Sequence, residues 1–317
     1  MLKSLLLSGL LVLLLWRPQT TAAYSVLTHQ ANVDSAWRRC LVPLLAKRYP
    51  GATPEEWKSA KAYAYGGSII QDMGYYPFGS ELFTNLAHYV RSGDLVQAML
   101  DEAHDRNEYA FALGALAHYV ADIKGHSEGT NRAMPSVYPK LAAEFGNYIT
   151  YEQAPIQHTQ LEFAFDVVQL AAGRYRSDKY HDFIGFKVDK DLLERAFQKT
   201  YGLELGQIVF NVDLSISAYR FSVMQLIPTA SRAAWHAERK NIKKLDRRAR
   251  RRDYVYRVNQ RAYRREFGTT DFDKPGFGAK ILSKVVRVLP KIGPLRPFAF
   301  KLPTPRRKSF SRRAFRR

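Results

Sequence analysis

The sequence is poor in cysteine and in any pattern that would build a β-sheet. Cys40 is the only cysteine among 317 residues, so no disulfide can form within the chain. No segment alternates apolar and polar residues for long enough to predict a strand, whereas apolar residues recur at helical spacing along most of the first 236 residues. These absences favour an all-α domain, and this part of the chain is long enough for one well-formed hydrophobic core.

The first 23 residues have the pattern of a secretory signal peptide. Lys3 supplies a positive charge, and the apolar stretch from Leu5 to Trp16 is too short to span a bilayer comfortably. Small residues ending at Ala23 then offer a cleavage site, which would make Tyr24 the mature N-terminus. No cysteine lies near that site, so lipoprotein processing is not supported. The sequence therefore predicts export to a periplasmic or extracellular location, with an uncleaved membrane anchor as the alternative.

Positive charge is concentrated in the C-terminal part of the chain. The whole chain has a net charge of +20, and residues 237–317 carry 27 Lys and Arg against 6 Asp and Glu. Glu238 to Arg265 could form a basic helix, and the prolines after Leu289 predict an irregular tail. We expect this basic region to contact an anionic membrane surface, although a solvated charge run would have the same composition. The predicted domains are a signal peptide (1–23), a helical domain (24–236) and the basic C-terminal helix and tail.

Local signals place the helices of the central domain. The expected helix starts are Thr53–Pro54, Ser80, Asp94, Asp105 and Pro155. Gly125 and Gly129 are expected to end the helix that starts at Asp105. A helix over 33–46 and a long helical pattern over about 203–234 complete the domain.

Three residues of metal-ligand type share one helical stripe. His118, Asp122 and His126 are spaced i, i+4 and i+8, so they drift by only about 40° per step around a helix. His158 and Glu162 repeat the i, i+4 spacing with the same ligand chemistry. Imidazole nitrogen and carboxylate oxygen are the ligands that zinc takes in catalytic sites with an open position. The spacing therefore predicts a zinc site between helices, as is typical of helical bundles.

These segments resemble the zinc-dependent phospholipase C family, which includes the catalytic domain of glycosylphosphatidylinositol-specific phospholipase D. The S1/P1 nucleases are more distant relatives of similar fold. The resemblance covers about residues 24–165, and the segment from Tyr24 to His29 is similar to the N-terminal segment of the family. It implies an all-α, multi-helix phospholipase C/P1 nuclease-like domain with a trinuclear zinc site.

The resemblance also implies a ligand for each of up to three zinc ions. Tyr24 would chelate one zinc through its backbone amine and carbonyl, and Asp72 and His88 would bind the first zinc. Asp122 would bridge two zinc ions. Another zinc would be held by His126, His158 and Glu162. Asp72 would also orient or deprotonate the attacking water. The complete ligand set that the resemblance implies is Tyr24, His29, Asp72, His88, His118, Asp122, His126, His158 and Glu162.

Closely spaced zinc ions bind phosphodiester oxygens and lower the pKa of a water toward 7. Together with the resemblance, this predicts an exported zinc-dependent phosphodiesterase that is phospholipase C- or D-like and acts on phospholipid headgroups. A P1-type nuclease and a non-catalytic, metal-stabilised envelope-binding protein are the alternatives. Nucleic acid is the less favoured partner, because the charge of the tail is not interleaved with a stacking platform. Tyr75, Tyr76 and Phe78 are expected either to line the mouth of the site or to pack within their loop.

Overall fold

The computed structural model describes residues 26–76, 78–171 and 186–221, followed by seven single positions between 235 and 251. The predicted signal peptide, Tyr24 and nearly all of the basic tail lie outside the described residues. Helices make up most of the described chain and none of it lies in a strand, so the all-α prediction is confirmed. Within the same residues, no helix has the length and apolar character that crossing a membrane requires.

Twelve α-helices can be followed through the described residues, together with three short helical turns of other pitch. The α-helices are α1 (Val26–Ala36), α2 (Val42–Arg48), α3 (Pro54–Gly67), α4 (Glu81–Tyr89), α5 (Ser92–Glu102), α6 (Arg106–Gly125), α7 (Asn131–Val137), α8 (Pro139–Phe145), α9 (Pro155–Ala171), α10 (Lys190–Tyr201), α11 (Leu205–Ile208) and α12 (Val212–Phe221). The other turns are two π-helical turns (Trp37–Leu41 and His126–Thr130) and a 3₁₀ helix (Ile70–Tyr75).

Most of the predicted helix starts are confirmed by their capping hydrogen bonds. The Thr53 side chain accepts from the Glu56 amide while the Glu56 carboxylate accepts from the Thr53 amide, which is a complete capping box before α3. Ser80 caps α4 by accepting from the Phe83 amide. Asp105 caps α6 by accepting from two amides of its first turn. The caps of α4 and α6 fix where two of the helices that carry the site begin.

The predicted cap at Asp94 is wrong. The residue before α5 is Arg91, whose φ of 53° places it in the left-handed region. Asp94 lies inside the first turn, where its carboxylate contacts Arg91 Nε at 2.7 Å. A carboxylate in the first turn interacts favourably with the helix dipole. An aspartate near a helix start can therefore be the cap or lie in the first turn, and the sequence alone does not separate these two positions.

The long helical pattern predicted over about 203–234, with an interruption at Pro228, is already broken in its described part. The chain there forms two separate helices, α11 and α12, with a break at 209–211. Asn211 supplies the reason, because its side chain accepts from the Leu214 amide and so starts a new helix. Residues 222–234 lie outside the described residues.

The α-helix that starts after Asp105 ends at Gly125 as predicted, but the chain does not leave the helical conformation there. Gly125 keeps right-handed helical angles, and the backbone passes through the π-helical turn directly into α7. Neither Gly125 nor Gly129 has the positive φ that usually makes glycine a helix stop. A comparable π-helical turn divides the helix expected over 33–46, just before Pro43, which has no amide hydrogen to continue the ladder.

The packing of α3 against α6 fixes the centre of the fold. A side chain at Gly67 would overlap the Phe111 carbonyl, and one at Gly114 would overlap the Ala64 carbonyl. The two helices therefore touch backbone to backbone, among the buried alanines of the main core. This contact positions α6, whose second half places His118 and Asp122 against His29 of α1 and His88 of α4.

Candidate metal centre

Eight of the nine predicted ligand residues converge on one region of the domain. Their ligand atoms form three groups, in each of which the atoms lie within 4.8 Å of one another. The groups are His29, His118 and Asp122; Asp72, His88 and His118; and His126, His158 and Glu162. The ninth residue, Tyr24, lies outside the described residues, so its role stays a prediction.

Asp122 lies at the centre of this arrangement. Its two carboxylate oxygens face four imidazole rings that come from α1, α4, α6 and the second π-helical turn. Oδ2 lies 3.2 Å from His118 Nε2 and 3.5 Å from His88 Nε2. Oδ1 lies 3.6 Å from His29 Nε2 and 3.7 Å from His126 Nε2. A carboxylate with each oxygen facing a different pair of ligands has the geometry of a bridge between metal ions.

Backbone carbonyls orient the two histidines of the central group. His88 Nδ1 lies 2.8 Å from the Thr84 carbonyl, and His118 Nδ1 lies 2.9 Å from the Ser68 carbonyl. Each Nδ1 therefore donates its hydrogen, which leaves both Nε2 atoms as ligands that point into the centre. The two Nε2 atoms are 3.2 Å apart, and His88 Nε2 lies 3.4 Å from Asp72 Oδ1. Nitrogen and oxygen lone pairs that face each other so closely require a cation or a proton between them.

The third group combines the second π-helical turn with α9. His158 Nδ1 lies 2.8 Å from Glu162 Oε1, one helical turn further along α9. His126 Nδ1 lies 3.6 Å from the same oxygen, and its ring stacks on His158 at 5.1 Å. His158 and Glu162 are both buried, whereas His126 is partly exposed.

Burial and neighbouring charges shift the pKa values of several residues in the centre. Burial lowers the pKa of His158 to about 4, so its ring is neutral near pH 7 and can ligate. Burial alone would raise the pKa of Asp122, but His118 and His126 hold it well below its ordinary range. Burial also acts against a charge on His88, yet the carboxylates of Asp122 and Asp72 raise its pKa to about 10. The carboxylates thus attract positive charge into the centre.

Several buried oxygens have no hydrogen-bond donor among the described residues. They are Asp72 Oδ2, Asp122 Oδ1 and Glu162 Oε1. A buried carboxylate oxygen without a partner costs free energy, and metal coordination removes that cost. The donor set is all nitrogen and oxygen from His, Asp and Glu, which is the chemistry of catalytic zinc. The three groups therefore fit up to three zinc ions.

The centre forms the floor of a cleft of about 350 Å³. Tyr75 lines this cleft, in agreement with the first of its two predicted roles, lining the mouth of the site. Tyr76 instead packs against Tyr219 in the core, at 4.4 Å between ring centroids. Phe78 is exposed and is not among the residues that line the cleft.

Sequence reasoning missed several residues around the cleft. Asn131, Tyr89, Tyr151 and Glu152 line it, and Asn131 also contacts His158. Tyr89 and Glu152 carry no local signal, because only the tertiary packing brings them to the metal centre. Asn131 follows His126 by five residues. This spacing places two residues on the same face of a π-helical turn but not of an α-helix, so the sequence gives no sign that they lie together.

We expect the zinc-free protein to lose stability as the pH rises from 7 to 9. The folded-state pKa of His88 is raised to about 10, and burial raises that of Glu162 to about 8. Both groups stabilise the fold only while they are protonated. The contribution of His88 is complete below its ordinary value of 6.5 and disappears as the pH passes 10, whereas that of Glu162 is complete below 4.5 and disappears as the pH passes 8.

Urea unfolding of chelator-treated protein should show that the free energy of unfolding falls by about 3 kcal/mol between pH 7 and pH 9. The zinc-loaded protein is the control, and its stability should hold or rise because deprotonated ligands bind zinc more tightly. Equal pH dependence with and without zinc would contradict the assignment of these buried groups to the metal centre.

Comparison with known proteins agrees with this geometry. A family model described as zinc dependent phospholipase C matches residues 28–208, which is more than half of the chain. The matched region contains all eight ligand residues that converge in the structure. No curated protein and no solved structure matches the chain.

Proposed function

The chain belongs to the zinc-dependent phospholipase C family, and we propose that it is an exported phosphodiesterase that cleaves phospholipid headgroups. Membership makes it a phospholipase C-like hydrolase, whereas export and the lipid substrate are parts of the proposal. The observation that carries the proposal is the convergence of three ligand groups around Asp122 at the floor of an open cleft. A purely structural metal site would be closed by four protein ligands and would need no such cleft.

Each ligand group has a distinct part in the proposed reaction. Asp122 faces histidines of all three ligand groups and would hold metal ions of different groups. Zinc bound there would supply Lewis acidity, which would activate water near neutral pH and stabilise the negative charge that develops on the phosphate oxygens. The third ligand group, His126, His158 and Glu162, lies next to Asn131 in the wall of the cleft.

Asp72 is the proposed general base. It lies in the 3₁₀ helix, lines the cleft, and is buried. Its Oδ1 faces His88 at 3.4 Å, whereas Oδ2 has no hydrogen-bond donor among the described residues. One oxygen can therefore ligate a metal while the other orients or deprotonates the attacking water.

The walls of the cleft favour a phospholipid over a polynucleotide. Among the described residues that line the cleft, none is Lys or Arg, so a second and a third phosphate would find no cationic partner. The rim includes Tyr89 and Ile123, which are 52 % and 49 % exposed. Their apolar surface suits the glycerol and acyl side of a lipid whose phosphate lies at the metals.

A direct assay tests the proposal. The purified protein should hydrolyse phosphatidylcholine or phosphatidylinositol in a zinc-dependent manner, and it should cleave single-stranded DNA much more slowly. A phosphorylated headgroup among the products would identify phospholipase C cleavage, and phosphatidic acid would identify phospholipase D cleavage. Zinc-dependent cleavage of DNA without lipid hydrolysis would replace this proposal with the nuclease. Zinc binding without any hydrolysis would favour the non-catalytic protein.

The basic region at 237–317 is proposed to hold the enzyme on anionic membranes. Each Lys or Arg near such a surface contributes about 1 kcal/mol, so a few of them together localise the protein. Deleting 237–317 should weaken binding to phosphatidylserine vesicles by roughly 100-fold or more at low salt. Hydrolysis of a soluble short-chain phospholipid is the control and should change little. A folded truncation that binds vesicles normally, or that loses the soluble activity, would contradict the proposed role.

A further inference from the structure

Asn131 connects two parts of the metal centre. It is the first residue of α7, and its amide donates to the His126 carbonyl across the second π-helical turn. Its own carbonyl accepts from the Ile149 amide at 3.1 Å, so the backbone is held on both sides. The residue is 7 % exposed and its side chain faces α9. Asn131 therefore has a fixed position next to a predicted ligand, although it is not itself of metal-ligand type.

The side chain of Asn131 makes two hydrogen bonds with distinct partners. Its Oδ1 lies 2.7 Å from His158 Nε2, and its Nδ2 donates to the Tyr148 hydroxyl at 3.0 Å. An amide oxygen can only accept, so His158 must carry its hydrogen on Nε2. Nδ1 of the same ring then presents a lone pair, and it is the atom that lies 2.8 Å from Glu162 Oε1.

The opposite tautomer would remove His158 from the ligands of the centre and place a hydrogen against Glu162. If His158 carried its hydrogen on Nδ1, that hydrogen would be donated to Glu162 within one turn of α9. The nitrogen would then have no lone pair on the metal side, and the carboxylate oxygen would be engaged with a proton. The choice of tautomer thus decides whether His158 of α9 can bind zinc through Nδ1.

We propose that Asn131 is a positioning residue of the metal centre, which holds His158 in the tautomer that leaves Nδ1 available to zinc. This inference rests on the zinc centre proposed above but is independent of the substrate. The π-helical turn makes the arrangement possible, since it brings His126 and Asn131 against the same ring of α9. The turn therefore supplies the ligand His126 and places Asn131, directly after it, where it can orient the next ligand.

The tautomer can be measured on the unaltered full-length protein. Nitrogen-15 spectra of the histidine rings, with the His158 signals identified by their loss in His158→Gln, show which ring nitrogen carries the hydrogen. We expect hydrogen on Nε2 in the zinc-free protein near pH 7, and hydrogen on Nε2 with zinc on Nδ1 after loading. Hydrogen on Nδ1 in either state would overturn the proposal.

A pair of variants separates the hydrogen bond from packing. Asn131→Leu keeps a similar volume but lacks the acceptor, whereas Asn131→Asp keeps an acceptor oxygen in the same place. Competition with a chelator should show zinc affinity of the weakest site falling roughly 10- to 100-fold in Asn131→Leu, the usual cost of losing such an orienting contact. Asn131→Asp should bind zinc within about threefold of the unaltered protein, and Tyr148→Phe is the control for the second contact of the amide.

Each outcome bears on the proposal. Equal losses of zinc affinity in Asn131→Leu and Asn131→Asp would show that Asn131 acts through packing, and an unchanged affinity in Asn131→Leu would show that it has no role. If Asn131→Leu does not fold, the tautomer of the unaltered protein and the affinity of Asn131→Asp decide. Neither measurement uses hydrolysis, so a failure of this inference is distinct from a failure of the proposed activity.

Discussion

Replacing Asp122 with asparagine should lower phosphodiester hydrolysis by about a thousandfold or more. Metal ions contribute several kcal/mol of transition-state stabilisation, and each 1.36 kcal/mol is a factor of ten in rate. Because Asp122 faces histidines that belong to all three ligand groups, no other described residue is expected to serve as many metals. We expect bound zinc to fall by at least one ion per chain, as measured by elemental analysis after dialysis.

The expected loss of zinc and activity comes from the missing negative charge more than from a change of shape. Asparagine has nearly the volume of aspartate, so the surrounding helices can keep their packing. It lacks the negative charge, however, and its NH₂ group would place a donor where the structure has a carboxylate oxygen against His29 or His118. Bringing metal cations together without this bridging charge is unfavourable in a buried centre.

The same substitution at an exposed position provides the control. Asp101 on α5 is exposed, and its carboxylate accepts a hydrogen bond from Gln97 at 2.8 Å. Asp101→Asn should leave zinc content and hydrolysis unchanged. Circular dichroism should show both variants folded. If Asp122→Asn were folded and retained full zinc content and activity, Asp122 would not be a bridge and the site would need a different assignment.

The sequence predicted those parts of the site that depend on local geometry. His118 and Asp122 share one face of α6, and His158 and Glu162 share one face of α9, because residues four apart are neighbours on any α-helix. Capping patterns located the starts of α3, α4 and α6 for the same reason, since each cap involves residues only three positions apart. Assembly of these pieces into one centre was implied only by the resemblance to a known family.

The remaining features depend on contacts that have no local sequence signal. The carbonyls that orient His88 and His118 belong to Thr84 and Ser68, and any residue type could supply a carbonyl there. The π-helical turn after Gly125 has no local signal either, because glycine at that position predicts that the chain leaves the helix unless tertiary packing overrides it. Asn131 was missed for the same reason, since its contact with His158 exists only if the helix continues.

The ligand count of the His29 group indicates that it lacks a ligand among the described residues. His118 belongs to two of the three groups, but its Nδ1 donates to the Ser68 carbonyl and only Nε2 remains for a metal. If His118 Nε2 serves the group of Asp72 and His88, the His29 group keeps only His29 and the bridging Asp122. Catalytic zinc usually has three protein ligands and one open position. A further ligand is therefore expected from outside the described residues.

Tyr24 is the predicted source of that ligand. It precedes His29 by five residues, just before α1 begins at Val26, and its own position lies outside the described residues. A backbone amine becomes a ligand only when it is a free N-terminus, with a reference pKa of about 7.7–8.0 that zinc can overcome near neutral pH. The proposal thus couples completion of the centre to removal of residues 1–23.

A protein that keeps extra residues before Tyr24 should then be folded but nearly inactive. We expect zinc content about one ion lower than that of the protein beginning at Tyr24. Hydrolysis should fall by roughly 100-fold, the scale on which losing one preorganised electrostatic stabiliser slows an enzyme. Proteolytic removal of the extra residues is the matched control and should restore both the zinc and the activity. Full zinc content and full activity in the extended protein would mean that another group completes the His29 site, and that export is not needed to switch the enzyme on.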